Sequence, residues 1–427
     1  MTLDDIGMIS VKDEGAIGDG VTDDTAAINA AIQKARKAAK VLLFPEGTYL
    51  VSDTVQAVIP GEVTGKHKSG TPKVGGDTGD YPVALIGSTS GAKPVIKLKN
   101  DSAGFDSAEK PKPVLYFQLF ADENKNGVFD PGEPSASANF FRCGIRNMKV
   151  EVGSGNPGAV ALDFDGSQGC FVEDFEADLT AGGYCGLSAL IGQKGILGNI
   201  KITGGQYGIK PGATKYPAMN GIELLNQTEA AIYQGGSQAL QITGFRIVKD
   251  RAPAIVTPKT KNDGAGHISL VDGTIEFASA SDGYAIDNTA GRTVVMRNVY
   301  VRNASAIVKS GSLAAIPGTA DGWTKVDEYV APCEGIGRNL VDGSTDTNEY
   351  KTIATGYEGS VPTDLVSRHL WNSSDFPSAD VILANANAGK ADYAVIPISL
   401  RNGICENPKK NEKGGDLSLD APDATAT

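Results

Sequence analysis

The chain has 427 residues, 53 of them glycine and only 7% aromatic, and carries a formal charge of −12 at pH 7. That length allows two or three ordinary domains or one long solenoid, and the composition suits many short strands and turns rather than a helical bundle. The acidity, with no dense basic patch, argues against a nucleic-acid partner, and no apolar run of about 18 residues is present to form a transmembrane span.

The first ordered stretch is Asp19-Gly20-Val21-Thr22-Asp23-Asp24-Thr25, preceded by Val11 to Ala16. Thr22 or Asp23 can cap a helix by accepting the free amide hydrogens of its first turn. Ala27, Ile28, Ala31, Ile32 and Ala35 then recur at helical spacing. Val41 to Phe44 reads as a short apolar strand closed by the turn Pro45-Glu46-Gly47. A helix laid over the open end of a stacked sheet fits this order, because an uncovered edge invites aggregation. Residues 1–54 are therefore expected to be a cap and first coil. Residues 55–140, rich in Gly, Pro and Lys, read as loop-rich insertions.

Within that region, Asp122-Glu123-Asn124-Lys125-Asn126-Gly127-Val128-Phe129-Asp130-Pro131-Gly132-Glu133 matches the twelve-residue calcium-loop pattern. Calcium takes six to eight oxygen ligands. Asp122, Asn124, Asn126, Asp130 and Glu133 offer side-chain oxygens, Val128 a main-chain carbonyl, and Gly127 permits the sharp turn. Val114 to Phe120 before the loop reads as a strand, and Pro131 and Pro134 oppose an exit helix. The expectation is a structural Ca2+ staple in an insertion, not an EF-hand sensor. No organic cofactor motif appears.

From about residue 143 a short phrase recurs: a turn residue, then an apolar–polar–apolar strand. It begins at Asn147, Asp174, Asn199, Gly221, Gly244 and Asn298, with a weaker instance at Thr274. The repeats lie roughly 22 to 30 residues apart, a solenoid period in which each coil needs its neighbours to complete a core. A β-sandwich also alternates, but the period and the cap favour an all-β parallel β-helix over residues 141–310. Residues 311–405 read as an irregular segment packed on that helix. It holds one strand-like run from Trp323 to Tyr329 and another from Tyr393 to Leu400. Residues 406–427 have the composition of a disordered tail. The five cysteines lack metal spacing and read as buried apolar residues, with room for one disulfide.

Glycoside hydrolysis commonly uses two carboxylates. Asp163 and Asp165 share a strand face, opposite Leu162 and Phe164. Glu173, Asp174, Glu176 and Asp178 form a second cluster, and Glu223 and Glu276 a third pair. Charged outer strand faces are common, so decoration is the competing reading for each. A lyase would instead need a base such as Lys, Arg or Tyr with a lowered pKa. Lys194, Lys201, Lys210, Arg246 and Lys249 are available. The three histidines (His67, His267, His369) are scattered and suggest neither a metal site nor a triad.

The cap, together with Asn139 to Met148 and Gly195 to Gly208, resembles the pectate-lyase-like superfamily of right-handed parallel β-helix proteins, and within it the first β-helix of family-55 glycoside hydrolases, the exo-β-1,3-glucanases. The resemblance covers about residues 11–210 and extends more faintly to Tyr329. It implies a secreted, glycan-degrading protein working in a groove on the β-helix, although Met1-Thr2-Leu3-Asp4-Asp5 lacks the basic start and apolar core of a secretory leader. It also implies that Gln168, in Ser167-Gln168-Gly169, lies where a polar residue helps place the attacking water. A second such position, usually Ser, is held here by Gln193. Asp165, Gln168 and Gln193 are thus the expected groove residues. In that family the general-acid glutamate lies on a second β-helix that opens with its own cap, and no second cap is found in this sequence. A missing half, a partner chain supplying it, or a solenoid with a different site are the readings left open. The alternatives to a β-glucan hydrolase are a calcium-assisted lyase on a uronate polymer and a non-catalytic, tailspike-like glycan binder, which would be a homotrimer.

Overall fold

The computed structural model describes residues 2–66, 68, 70, 72–74, 83–126, 129, 133–136, 140–192, 194–212, 217–236, 239–258, 267–310, 314–331, 350–370 and 377–388. The chain winds into a right-handed parallel β-helix with three sheets running along its axis. The first sheet stacks residues 84–87, 144–146, 171–173, 196–198, 218–220, 241–243, 268–271 and 294–297 in parallel register. The second stacks 95–98, 149–152, 175–179, 200–204, 222–225, 245–249, 273–277 and 299–302. The third stacks 55–62, 112–122, 159–165, 185–189, 207–211, 230–233 and 255–256, then the ends of the two long strands His267–Asn288 and Thr293–Ser310.

The first two sheets are halves of single strands, such as Gly144–Val152 and Phe171–Leu179, bent at one residue of positive φ. These corners recur every 22 to 28 residues, at 147, 174, 199, 221, 244, 272 and 298, with φ between 50 and 69. Only Gly, Asn and Asp occupy them, the residues that best tolerate the left-handed region. They are the turn residues of the recurring phrase, which gives the repeat its physical basis. Side chains link successive corners: Asn199 Nδ2 donates to Asp174 Oδ1 at 2.5 Å and Asn298 Nδ2 to Asp272 Oδ1 at 2.6 Å.

The weak phrase at Thr274 starts two residues late. Its corner is Asp272, and Gly273 stands in the core column where other coils carry a large apolar residue. The Phe245 ring fills that space, since a β-carbon on Gly273 would fall 2.3 Å from it. The rest of the column (Met148, Phe175, Ile200, Ile222, Phe245, Val299) is fully buried.

At the N-terminal end, helix α1 (Thr25–Lys37) buries Ile28, Ala31, Ile32 and Ala35 against the first coil. Its N-cap position falls to Asp24, not Thr22 or Asp23. The Asp24 carboxylate turns away from the first helical turn and accepts the amides of Ile17 and Gly18 at 2.7 and 2.9 Å. Asp19 binds the amides of Val21 and Thr22, and Asp23 that of Thr25, so these aspartates tie the cap together.

Residues 55–140 are not simply insertions. They contribute Val55–Lys66, Ala84–Gly87, Val95–Leu98 and Lys112–Asp122 to the coils; the last contains the expected Val114 to Phe120 strand, and the other three were lost to sequence reading among the intervening Gly and Pro. Parallel stacking ends where Ile316–Ala331 adds antiparallel to Thr293–Ser310, and Tyr350–Thr355 in turn adds antiparallel to Ile316–Ala331. The chain then runs back toward the first coils. His369 Nε2 lies 2.7 Å from Asp272 Oδ2, and farther on Ser88 Oγ donates to Asp380 Oδ2 at 2.6 Å, at the start of helix α2 (Ala379–Asn387). This return segment contains a strand and a helix that sequence reading did not anticipate; Tyr393 to Leu400 and 406–427 lie outside the described residues. Cys143, Cys170 and Cys185 are buried, while Cys333 and Cys405 lie outside the described residues. Among the described residues no helix is long and apolar enough to cross a membrane.

Candidate active site

The outer faces of the three sheets differ in chemistry. On the second sheet the ladder Lys149–Glu176–Lys201–Glu223–Arg246 alternates in sign from coil to coil. Opposite charges facing each other across strands stabilise a sheet, so Glu176 and Glu223 have a structural reason to be there. Glu176 also pairs with Lys93 at 2.7 Å. Glu173, on the first sheet, takes a hydrogen bond from Arg146 Nε at 2.7 Å, and Asp178 accepts the Thr180 amide and hydroxyl. Asp174 is a corner residue. The second carboxylate cluster is therefore spread over two faces and committed to packing.

The third sheet presents another surface. Asp163 and Asp165 stand half-buried on its outer side while Leu162 and Phe164 enter the core, as alternation requires. Gln56, Tyr116, Asp163, Ser188 and Lys210 form one ladder, and Val58, Gln118 and Asp165 the next. Ser188 Oγ donates to Asp163 Oδ2 at 2.8 Å, and Ser135 Oγ to Asp165 Oδ2 at 2.6 Å. Burial, with Asp163 and Asp165 beside it, pushes the Tyr116 phenol far above its ordinary pKa, so it stays a neutral hydroxyl. Gln118 is 2% exposed, and its Oε1 has no hydrogen-bond partner among the described residues.

The insertion after Lys112–Asp122 covers this corner. The Phe129 ring packs edge-on to Tyr116 and Phe120 at centroid distances of 5.3 and 5.5 Å. Main-chain bonds Ala121 N to Pro134 O and Ala136 N to Leu119 O fold the insertion back, bringing Ser135 to Asp165. Phe129 and Ser135 therefore form one wall of the site. Within the calcium-type loop the Asn126 amide donates to Asp122 Oδ1 at 3.1 Å and Asn124 Oδ1 at 3.0 Å, which curls the loop around these two oxygens. Glu133 is described, whereas Val128 and Asp130 lie outside the described residues. Among the described residues no group of three His, Cys, Asp or Glu is set to hold a metal.

Gln168 is exposed on the turn that follows Asp165, and its Oε1 accepts the Ser167 hydroxyl. The next coil's turn stacks on it, with the Gly192 amide donating to Ser167 O at 3.2 Å. Asp165 and Gln168 thus flank one turn. Gln193 lies outside the described residues, between Gly192 on that stacked turn and Lys194.

Farther along the same sheet, Lys210 Nζ sits 4.8, 4.8 and 5.0 Å from the ring centroids of Tyr184, Tyr207 and Tyr233 and donates to the Tyr184 hydroxyl. Burial opposes its charge, but the Tyr184 hydrogen bond and the phenols around it raise its pKa overall. Lys210 is therefore a poor base. Lys249, pulled down to about 8 by burial, is a strut bonded to the carbonyls of Gln227 and Glu229 at 2.7 and 2.8 Å. Lys201 and Arg246 belong to the charged ladder of the second sheet. The basic residues a lyase would use are thus dispersed rather than gathered. Sequence reading missed the tyrosine column, Tyr116, Gln118 and Ser135. The coil-length recurrence of Tyr184, Tyr207 and Tyr233 was the one available signal.

Fold and site together define a pectate-lyase-like parallel β-helix. The chain belongs to the rhamnogalacturonase A/epimerase, pectate lyase-like family, whose model matches residues 8–255, more than half of its length. It is 28% identical over 288 residues to the "Non-secreted LysM effector LysM19" of Penicillium expansum, covering 62% of this chain and 20% of that protein. It is 23% identical over 364 residues to a "Glucan 1,3-beta-glucosidase" of Cochliobolus carbonum, covering 79% of this chain and 41% of that protein. A "Probable glucan endo-1,3-beta-glucosidase" of Arthroderma benhamiae is 22% identical, with 72% of this chain and 33% of that protein covered. The chain spans less than half the length of each of these relatives.

Proposed function

We propose that the protein is a carbohydrate-active enzyme that hydrolyses a glycan, foremost a β-glucan, on the outer face of the third sheet. The observation that carries this reading is the pairing of Asp165, held by Ser135, with the exposed Gln168 one turn away and an unpartnered Gln118 oxygen between the strands. In this scheme Asp165 takes the proton of a water aligned by Gln168, and Gln193 is proposed as a second water-placing residue. The names of the two glucosidase relatives point to the same substrate class.

Among the described residues Tyr116 and Lys210 on this face hold their protons too tightly to serve a leaving group. A general acid works best with a pKa near the operating pH. We propose that the acid comes from outside this face, from a second β-helix in a partner chain or another segment. We also assign Ca2+ to the 122–133 loop as a structural ion that stiffens the wall holding Ser135. An extracellular site of action follows from a polymeric glycan substrate.

The test is incubation with β-1,3-, β-1,4- and mixed-linkage glucans and with uronate polymers, following reducing ends and near-ultraviolet absorbance together. Reducing ends without absorbance from a β-glucan support the hydrolase. Absorbing, unsaturated products from a uronate would establish the lyase instead.

A further inference from the structure

The charged ladder on the second sheet stops at the C-terminal coils. Beyond Arg246 the same register continues with Thr274, Tyr300 and Lys325, and the neighbouring register brings Glu276, Arg302 and Trp323 side by side. Here the return segment crosses the sheet and borders a half-open cavity of about 340 Å³. Its floor is Arg246, Thr274 and Glu276, Trp323 forms a wall, and Val361 and Leu365 form the roof.

The enclosure is a built feature. Leu365 is 2% exposed, the Tyr357 amide donates to Trp323 O at 2.8 Å, and Arg368 pairs with Asp364 at 2.5 Å beside the His369–Asp272 contact. Inside, the polar groups keep bonding capacity. Arg246 reaches Glu276 only at 3.4 Å and Glu223 at 3.9 Å, leaving most of its five donors free for another acceptor. Thr274 Oγ1 lies 3.3 Å from Glu276 Oε1.

We infer that this cavity is a second carbohydrate-binding site, separate from the third-sheet groove, which takes a single neutral sugar ring or chain end. The size lies at the low end of small-molecule pockets, about 300–1,000 Å³, and suits one or two rings. The Trp323 indole, whose ring carries the Arg302 guanidinium 5.7 Å from its centroid, supplies an apolar wall against which the C–H surface of a pyranose can pack. A guanidinium beside a carboxylate and a hydroxyl matches vicinal sugar hydroxyls, which both donate and accept. The site gives the protein a hold on its polymer away from the reacting bond.

Saturation-transfer NMR and calorimetry with glucose, galactose, glucuronate and β-linked gluco-oligosaccharides test this on the full chain. A neutral sugar should bind wild type and the Asp165→Asn variant alike, since the groove is elsewhere. Trp323→Ala should weaken that binding by about 2- to 10-fold, the loss of one aromatic contact. If Trp323→Ala misfolds, Thr274→Val and Glu276→Gln, which keep the cavity's shape, should each weaken it. Failure of every sugar to bind, or binding unchanged in these variants but lost in Asp165→Asn, would overturn the inference; the latter would leave the third-sheet reading standing.

Discussion

Leu370 occupies the space that a β-carbon on Gly221 would need: that carbon would fall 2.0 Å from Leu370 Cδ2. One coil later His369 crowds Gly244 in the same way, at 2.8 Å. The corner ladder is Asn or Asp at Asn147, Asp174, Asn199, Asp272 and Asn298, and glycine at the two coils where the return segment crosses. Those glycines therefore mark a docking track as well as a turn. Gly221→Ala should cost at least about 1–2 kcal/mol from the left-handed backbone alone, and more from the displaced Leu370. Urea denaturation measures this, and limited proteolysis should show earlier cutting near 357–370. A variant as stable as wild type would separate the glycine from the docking.

The His369–Asp272 contact makes that docking pH-dependent. Burial works against the Asp272 charge, but hydrogen bonds from Asn298 and His369 outweigh it and hold its pKa below the usual carboxylate value. A depressed carboxylate contributes stability above its unfolded pKa of about 3.9 and loses it as pH falls through the folded value. Asp272→Asn should therefore be less stable than wild type at pH 7, by under about 1 kcal/mol for so accessible a pair. The difference should shrink below about pH 4. Thermal unfolding of both proteins across pH 3–8 (a range set by the same reference values) reads this directly.

Calcium at the 122–133 loop should raise the melting temperature, and a chelator should lower it. At a free-ion level about 100-fold above Kd, the stabilisation is about 2.7 kcal/mol. Asp122→Ala should abolish the calcium response. An equal melting temperature with calcium and with chelator would remove the ion from this account.

Asp165→Asn should lower kcat by about 10²–10⁴-fold, the usual contribution of a proton-transfer group, with the melting temperature nearly unchanged because the residue lies on an outer face. Gln168→Ala and Gln193→Ala should each lower kcat with smaller changes in KM. If Asp165→Asn retains full activity on every glucan that wild type cleaves, Asp165 is not the base.

The sequence by itself determined the coil and the cap. The left-handed corners demand Gly, Asn or Asp, and the core demands an apolar–polar–apolar phrase after each, so both constraints are written locally in Asn199-Ile200-Lys201-Ile202 and its relatives. Asp165 and Gln168 were singled out through the family resemblance, and three residues apart they flank one turn. The tertiary structure alone decided which residues from different coils meet. Ser135 reaches Asp165 across an insertion, Lys210 gathers tyrosines from three coils, and Leu370 finds Gly221 after the chain has turned back along the helix. Coil lengths vary between 22 and 28 residues, so the register that aligns these side chains is set by stacking against neighbours and not by spacing along the chain.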